Sequence, residues 1–325
     1  MRGWITSSIA RRLGFVVAAI LLPLCFGAAA RVGDTGDLAS LRAEALALVN
    51  EARSRHGLDP LHLTETLNSA AQAHAEDMLA RNYYSHTAPE GEEVGDRYRQ
   101  RGGSRWEKVA ENIARCTGCP SVPTTEGVSE FHEGWMNSPG HRRNILARGL
   151  EDFGFGIIGE SGRQFAVQTF AGPGMPLALK SDEEPVALSA KEQIAAAARL
   201  INAEREREGR AGLKTSEALN ALAQRLLPKD LSDDRVMERP DGFFELLPSG
   251  SAREWRTITV AAGGCGGCGT QPTGADIRYF VDQWLENSKN RAALLGSEPT
   301  HLGFAMLATG EGRKVAIAVA GKRQE

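Results

Sequence analysis

Aromatic residues make up only 6% of the 325 positions, against 42% hydrophobic and 24% charged residues, an ordinary balance for a globular protein. The apolar run Leu13–Phe26 has about 14 residues, short of the ~20 that a bilayer-spanning helix needs. Arg2, Arg11 and Arg12 precede it and Ala28, Ala29 and Ala30 follow, so residues 1–30 read as an export signal with a small-residue cleavage site. The residues around Arg11 and Arg12 fit a twin-arginine signal poorly. Cys25 follows Pro23 and Leu24 rather than small residues, which argues against a lipoprotein anchor. No transmembrane anchor is expected after cleavage, and the product is expected in the periplasm or outside the cell.

Positive charge is also scarce. Cleavage after residue 30 removes three arginines and no acids, leaving 35 basic against 41 acidic residues, a net charge of −6. Such a chain has no global attraction for nucleic acid or an anionic membrane, although a local basic patch remains compatible with it. Four cysteines survive cleavage, as Cys116 with Cys119 and Cys265 with Cys268. In an exported chain an even number of thiols reads first as disulfides. A redox pair would need a strand before it and a helix N-terminus at its first cysteine. Here Cys119 runs into Pro120, and Cys265 sits among glycines. A four-cysteine zinc site stays open as the alternative.

The length suggests about two domains. Leu38, Leu41, Ala45, Leu48, Val49 and Ala52 keep helical spacing up to a stop at Gly57. A second helix is expected from an N-cap at Thr64, burying Leu67, Ala71, Ala75 and Met78. Residues 82–103 are polar, glycine-rich and aperiodic, so a long loop carrying Ser85 and His86 is expected. Residues 106–114 read equally as extended or as a short helix. Val128, Phe131 and Trp135 mark another helix, which Pro139 and Gly140 should break, setting His141 on a turn. From that stretch alone, His141 merely hydrogen-bonding its turn is the favoured reading. Residues 153–158 and 165–170 read as a hairpin, with a linker at 176–188.

The second half then repeats the first. Val49, Asn50 and Arg53 recur as Ile201, Asn202 and Arg205, and Leu67, Asn68 and Gln72 as Leu219, Asn220 and Gln224, all at an offset of 152. Beyond a three-residue deletion the offset is 149. Trp106, Cys116, Cys119, Trp135, Arg142, Gly154, Phe155 and Gly172 then match Trp255, Cys265, Cys268, Trp284, Arg291, Gly303, Phe304 and Gly321. Two copies of one domain, at 38–175 and 189–323, are expected; the period is too long for a solenoid. Scaffold types persist in both copies, whereas His86 meets Met237 or a neighbour, Glu111 meets Val260, and His141 meets Asn290. A set present in one copy and dispensable in the other reads as functional. His132, His56, His62, His74 and His301 are expected at the surface, and 204–208 is a solvated charge run.

The first copy, over about residues 40–175, resembles a CAP domain (cysteine-rich secretory, antigen five, pathogenesis-related; SCP-like) in its bacterial secreted form. The resemblance rests on Ser85 and His86; on Ala110, Glu111, Asn112 and Ile113; on Trp135 through Arg142 with Asn144, Ile145 and Leu146; and on Phe153 through Gly156. It implies an α+β fold, an α-β-α sandwich, here in two tandem copies. It also implies an open cleft in which two histidines and two acids can hold zinc or another divalent metal. His86, Glu111 and His141 match three of these positions; Ser138 stands where the second acid belongs, with Asn144 nearby, and Glu130 and Glu133 lie upstream on the same helix. No cofactor is certain, and without the fourth ligand metal affinity should fall.

Three functions follow from this. A binding module would take a lipid, cell-wall or protein ligand. A metal-dependent hydrolase of peptide, ester or phosphodiester bonds would use Glu111 as base or ligand. A structural envelope protein would use neither histidine. Binding is placed ahead of catalysis, because no nucleophile is paired with a base and no substrate-defining motif appears. Ser85 beside His86 is adjacency only.

Overall fold

The computed structural model describes residues 35–324 apart from Ser232 and Arg239; the export signal and Cys25 lie outside the described residues. The first half runs α1 (Leu38–Ser54), β1 (His62–Leu63), α2 (Glu65–Ala80), α3 (Val94–Gln100), β2 (Lys108–Thr117), α4 (Thr125–Asn137), α5 (Pro139–Ile145), β3 (Asp152–Glu160) and β4 (Arg163–Gly172). The second half runs α6 (Ala190–Arg207), β5 (Lys214–Thr215), α7 (Glu217–Leu226), β6 (Trp255–Cys265), α8 (Gly274–Glu286), α9 (Ser288–Leu295), β7 (His301–Ala308) and β8 (Lys314–Arg323). Each half forms a four-stranded mixed sheet, ordered β1-β3-β4-β2 and β5-β7-β8-β6. The short first strand of each sheet pairs in parallel and the remaining strands are antiparallel. The fold is α+β, two α-β-α sandwiches in tandem.

Strand alternation builds the layers. On one face of the first sheet Phe153, Phe155, Ile157, Ala166 and Phe170 pack with Leu41, Ala45 and Val49 of α1 and with Val128 and Trp135 of α4. On the other face Ile158, Phe165 and Val167 pack with Ala71, Ala75 and Met78 of α2. Helix α2 lies so close to β3 that a Cβ at Gly154 would meet the backbone carbon of Leu67 at 2.2 Å; at Gly303 it would meet that of Leu219 at the same distance. Those glycines recur because a helix rests on the strand backbone.

The repeated polar residues satisfy backbone groups that the sheets leave open. Beyond the two-residue β1, the edge of β3 is closed by side chains of α2: Asn68 Oδ1 accepts from Phe155 N (3.1 Å) and Gln72 Oε1 from Ile157 N (3.0 Å). Asn220 does the same for Phe304 N (3.0 Å). Arg53 is buried and donates to the carbonyls of Asp59, Ile145 and Ala147. Arg205 donates to those of Ala211, Leu294 and Gly296.

Several expectations need correction. The loop 82–103 contains α3, a helix of seven residues, too short to show periodicity amid charged side chains. Of residues 106–114, open to either an extended or a helical reading, 108–114 belong to strand β2. The break after α4 falls at Ser138, and Pro139 opens α5, where its missing N–H costs nothing, so His141 sits in the first turn of a second helix. His74 and His132 are buried. The offset of 149 also fails in the last strand. Cys116 pairs with Gln164 and Cys265 with Lys314, so β8 follows β4 at 150, after one extra residue in the hairpin loop. Only this register keeps Val315, Ile317 and Val319 on the α7 face, as Phe165 and Val167 are on the α2 face. A slip of one would turn every side chain over. Gly321 therefore stands at the place of Ala171, and its match to Gly172 is a coincidence of type.

Both sandwiches lie within one compact unit. Across their seam Gly269 N donates to Pro173 O (2.7 Å) and Gly267 N to Trp106 O (2.6 Å), and the Arg313 guanidinium lies 4.3 Å from the centre of the Trp106 ring. Gly174 forms a bridge with Cys268, and a Cβ on Gly174 would meet Gly267 O at 1.9 Å. The disulfides Cys116–Cys119 and Cys265–Cys268 close equivalent loops after β2 and β6.

Candidate functional site

Strand β2 supplies Glu111 and Asn112 at adjacent positions. The Glu111 carboxylate is almost wholly buried, with 2% of its side chain exposed. Its Oε2 accepts from Arg97 Nη2 at 2.8 Å, and its Oε1 accepts from His86 Nδ1 at 2.9 Å. Arg97 is 3% exposed and comes from α3. It also donates to the carbonyls of His86 and Glu92, so one guanidinium fixes both the acid and the loop that carries the histidine. His86 itself is 55% exposed. With Nδ1 donating to Glu111, the other nitrogen, Nε2, has no partner among the described residues.

Helix α5 brings His141 to the same place. Asn144 Nδ2 donates to Glu111 O (3.0 Å) and to Asn112 Oδ1 (2.9 Å), while Asn112 Nδ2 donates to His141 O (3.2 Å) and Gln168 Oε1 (3.1 Å). The two asparagines fasten α5 to β2, so Asn144 positions His141 and its amide nitrogen is committed to that task. Burial lowers the affinity of His141 for a proton, and the charge of nearby His86 lowers it further. Ser138 links α4 to α5, accepting through its carbonyl from Arg142 N.

Behind Glu111 lies His74, which the sequence reading put at the surface. Its Nε2 donates to Ser85 O at 3.0 Å and is 3.9 Å from Glu111 Oε1. Burial holds its pKa below the ordinary 6.5, against the pull of Glu111. His132 is likewise lowered by burial, because it lies on the inward face of α4 with Val128 and Trp135. Both imidazoles are therefore neutral in the folded chain at a pH where the unfolded chain takes protons. Stability should be fully present above pH ~6.5 and fall as the pH drops below it. The expected result is a lower denaturation midpoint at pH 5.5 than at pH 7.5, with a smaller difference in His74→Gln/His132→Gln.

The expected metal set does not fit these residues. Glu111 is engaged at both oxygens, by the buried Arg97 and by His86, and Arg97 already balances its charge. Among the described residues no group of three or more His, Cys, Asp or Glu is arranged to hold a metal ion. Glu130 and Glu133 do not complete one. Sequence reasoning missed Arg97 and His74. One signal for Arg97 was available: its counterpart in the second half is Leu246 or Ser249, depending on where the deletion falls, so arginine and acid are lost together.

A mixed four-stranded sheet with helices on both faces and a polar cluster between β2 and α5 defines a small α-β-α sandwich of the CAP class. Residues 46–170 match the family model of the cysteine-rich secretory protein family, CAP, so the first sandwich is a CAP domain. The chain is 36% identical over 115 residues to the uncharacterized protein YkwD of Bacillus subtilis strain 168, covering 35% of this chain and 41% of that protein. It is 31% identical over 125 residues to the uncharacterized membrane protein YlbC of the same strain, covering 38% and 32%. The chain thus spans less than half the length of the curated relatives it matches. Among solved structures it is similar to an extracellular protein containing an SCP domain from Bacillus anthracis, at 30% identity and a TM-score of 0.33, covering 41% of this chain and 40% of that one. No helix among the described residues is long and apolar enough to cross a membrane.

Proposed function

We propose that the chain is an exported ligand-binding protein, with a lipid, a cell-wall fragment or another protein as ligand. Its first sandwich (residues 38–175) presents His86 and His141 as the recognition pair. The second (189–323, after a linker at 176–188) is a degenerate copy that keeps the scaffold. The observation that carries this reading is the commitment of Glu111. A carboxylate engaged at both oxygens, one of them by a buried arginine, serves to orient an imidazole and is held back from acting as a general base. What it leaves to solvent is an exposed histidine able to accept a hydrogen bond when neutral and donate one when charged. The same commitment weighs against a metal-dependent hydrolase.

The test is calorimetric titration of the mature chain with fatty acids and peptidoglycan fragments, with His86→Ala/His141→Ala as the comparison. The double variant should bind at least ten-fold more weakly. Its stability should change by no more than about 1 kcal/mol, since neither ring fills the core. Equal binding by both proteins would remove the histidines from recognition and return the site to a structural role.

A further inference from the structure

The ends of β5, β7 and β8 and the C-terminus of α6 enclose a cavity of ≈ 830 Å³ in the second sandwich. Its cations are Arg205, Arg210, Lys214, Lys322 and Arg323, against the single acid Glu208. Arg205 is spent on backbone carbonyls and Arg210 pairs with Glu208. Lys322 and Arg323 have only exposed partners, Glu298 at 3.0 Å and Glu254 at 2.7 Å, and such pairs are weak enough to yield to a stronger anion. Lys214 is exposed and has no ion pair among the described residues. Beside it in strand register is His301, whose ring packs edge-on against Trp255 and whose Nδ1 is 2.9 Å from Thr300 Oγ1. Burial, Arg323 and Lys214 all lower the proton affinity of that imidazole, so the cationic field reaches the ring.

The equivalent place in the first sandwich differs at each position. His62 replaces Lys214, Glu151 and Asp152 replace Thr300 and His301, and Pro173 replaces Arg323. There the second sandwich forms part of the wall, with Gly269, Thr270, Gln271, Thr273 and Lys314 lining a cavity of ≈ 660 Å³. The second sandwich therefore carries more positive charge than the first at this place, at an uncovered pocket, in a mature chain whose net charge is −6.

We infer that this pocket is an anion site that takes the phosphate group of a phosphate ester, held by Lys214, Arg323 and Lys322. Guanidinium forks and ammonium donors around one group give the charge-assisted bonds that phosphate accepts best. The site is separate from His86 and His141.

The test follows His301 by NMR in the mature chain as sn-glycerol 3-phosphate or inorganic phosphate is added. Its proton affinity should rise on binding, and Lys214→Ala/Arg323→Ala should weaken binding at least ten-fold. His86→Ala/His141→Ala should leave it unchanged, so the two sites fail independently. Sedimentation with phosphatidylglycerol vesicles, performed alongside, distinguishes the sources. Vesicle binding added to glycerol 3-phosphate binding, both lost in Lys214→Ala/Arg323→Ala, assigns a lipid headgroup; glycerol 3-phosphate binding alone assigns a soluble ester. No shift of His301 with glycerol 3-phosphate, or binding undiminished in the pocket variant, overturns the site. Both replaced side chains are exposed, so the variant should fold.

Discussion

Arg97→Met should destabilise the first sandwich by about 3–5 kcal/mol, because it strands the Glu111 carboxylate inside the protein without its counter-charge. Arg97 and Glu111 are buried together, and Arg97 also holds the carbonyls of His86 and Glu92. The paired replacement Arg97→Met/Glu111→Met should recover at least half of that loss, since apolar side chains of similar volume need no compensation. Denaturant midpoints of the parent, the two single variants and the double variant give the coupling energy directly. A coupling near zero would mean that something other than the ion pair holds α3 against β2. The single variant should also weaken ligand binding, because the loop bearing His86 loses its anchor.

Trp135→Ala should cost about 3–5 kcal/mol as well, by a different route. The indole is 2% exposed, stacks on Phe131 with ring centres 6.0 Å apart, and donates from Nε1 to Ile113 O at 3.1 Å. Truncation opens a cavity between α4 and β2, two residues along the strand from Glu111. Trp135→Phe fills most of that volume and gives up the hydrogen bond, so its cost should be clearly smaller. A shift in urea midpoint at constant slope checks the sizes. Equal losses for Ala and Phe would assign the effect to the hydrogen bond rather than to packing.

The parts of this architecture that could be read from sequence were those set by regular spacing. Leu67, Ala71, Ala75 and Met78 lie on one helical face, and all four are fully buried in α2. His86, Glu111 and His141 stood out because the second half lacks them, and the structure gathers them around β2 and α5. Arg97 was hidden because a seven-residue helix has no measurable period and its arginine looks like the exposed Arg99 beside it. His74 looked exposed because histidine is polar; the pairing of its Nε2 with Ser85 O makes burial tolerable, and that pairing spans 11 residues through a loop. The register of β8 was lost to one residue in a turn, which only the strand ladder reveals.

The seam between the sandwiches has a polarity. The sheet end of the first meets the disulfide loop of the second, so two unlike surfaces are joined, and a junction of that kind does not close on itself. Repeated, it would add unit after unit into a fibre. At the next acceptor end Gln324 falls where Gly174 lies, a place with no room even for a Cβ against Gly267 O, and Arg323 replaces Pro173. The far end of the second sandwich therefore cannot repeat the junction that the first sandwich makes with it.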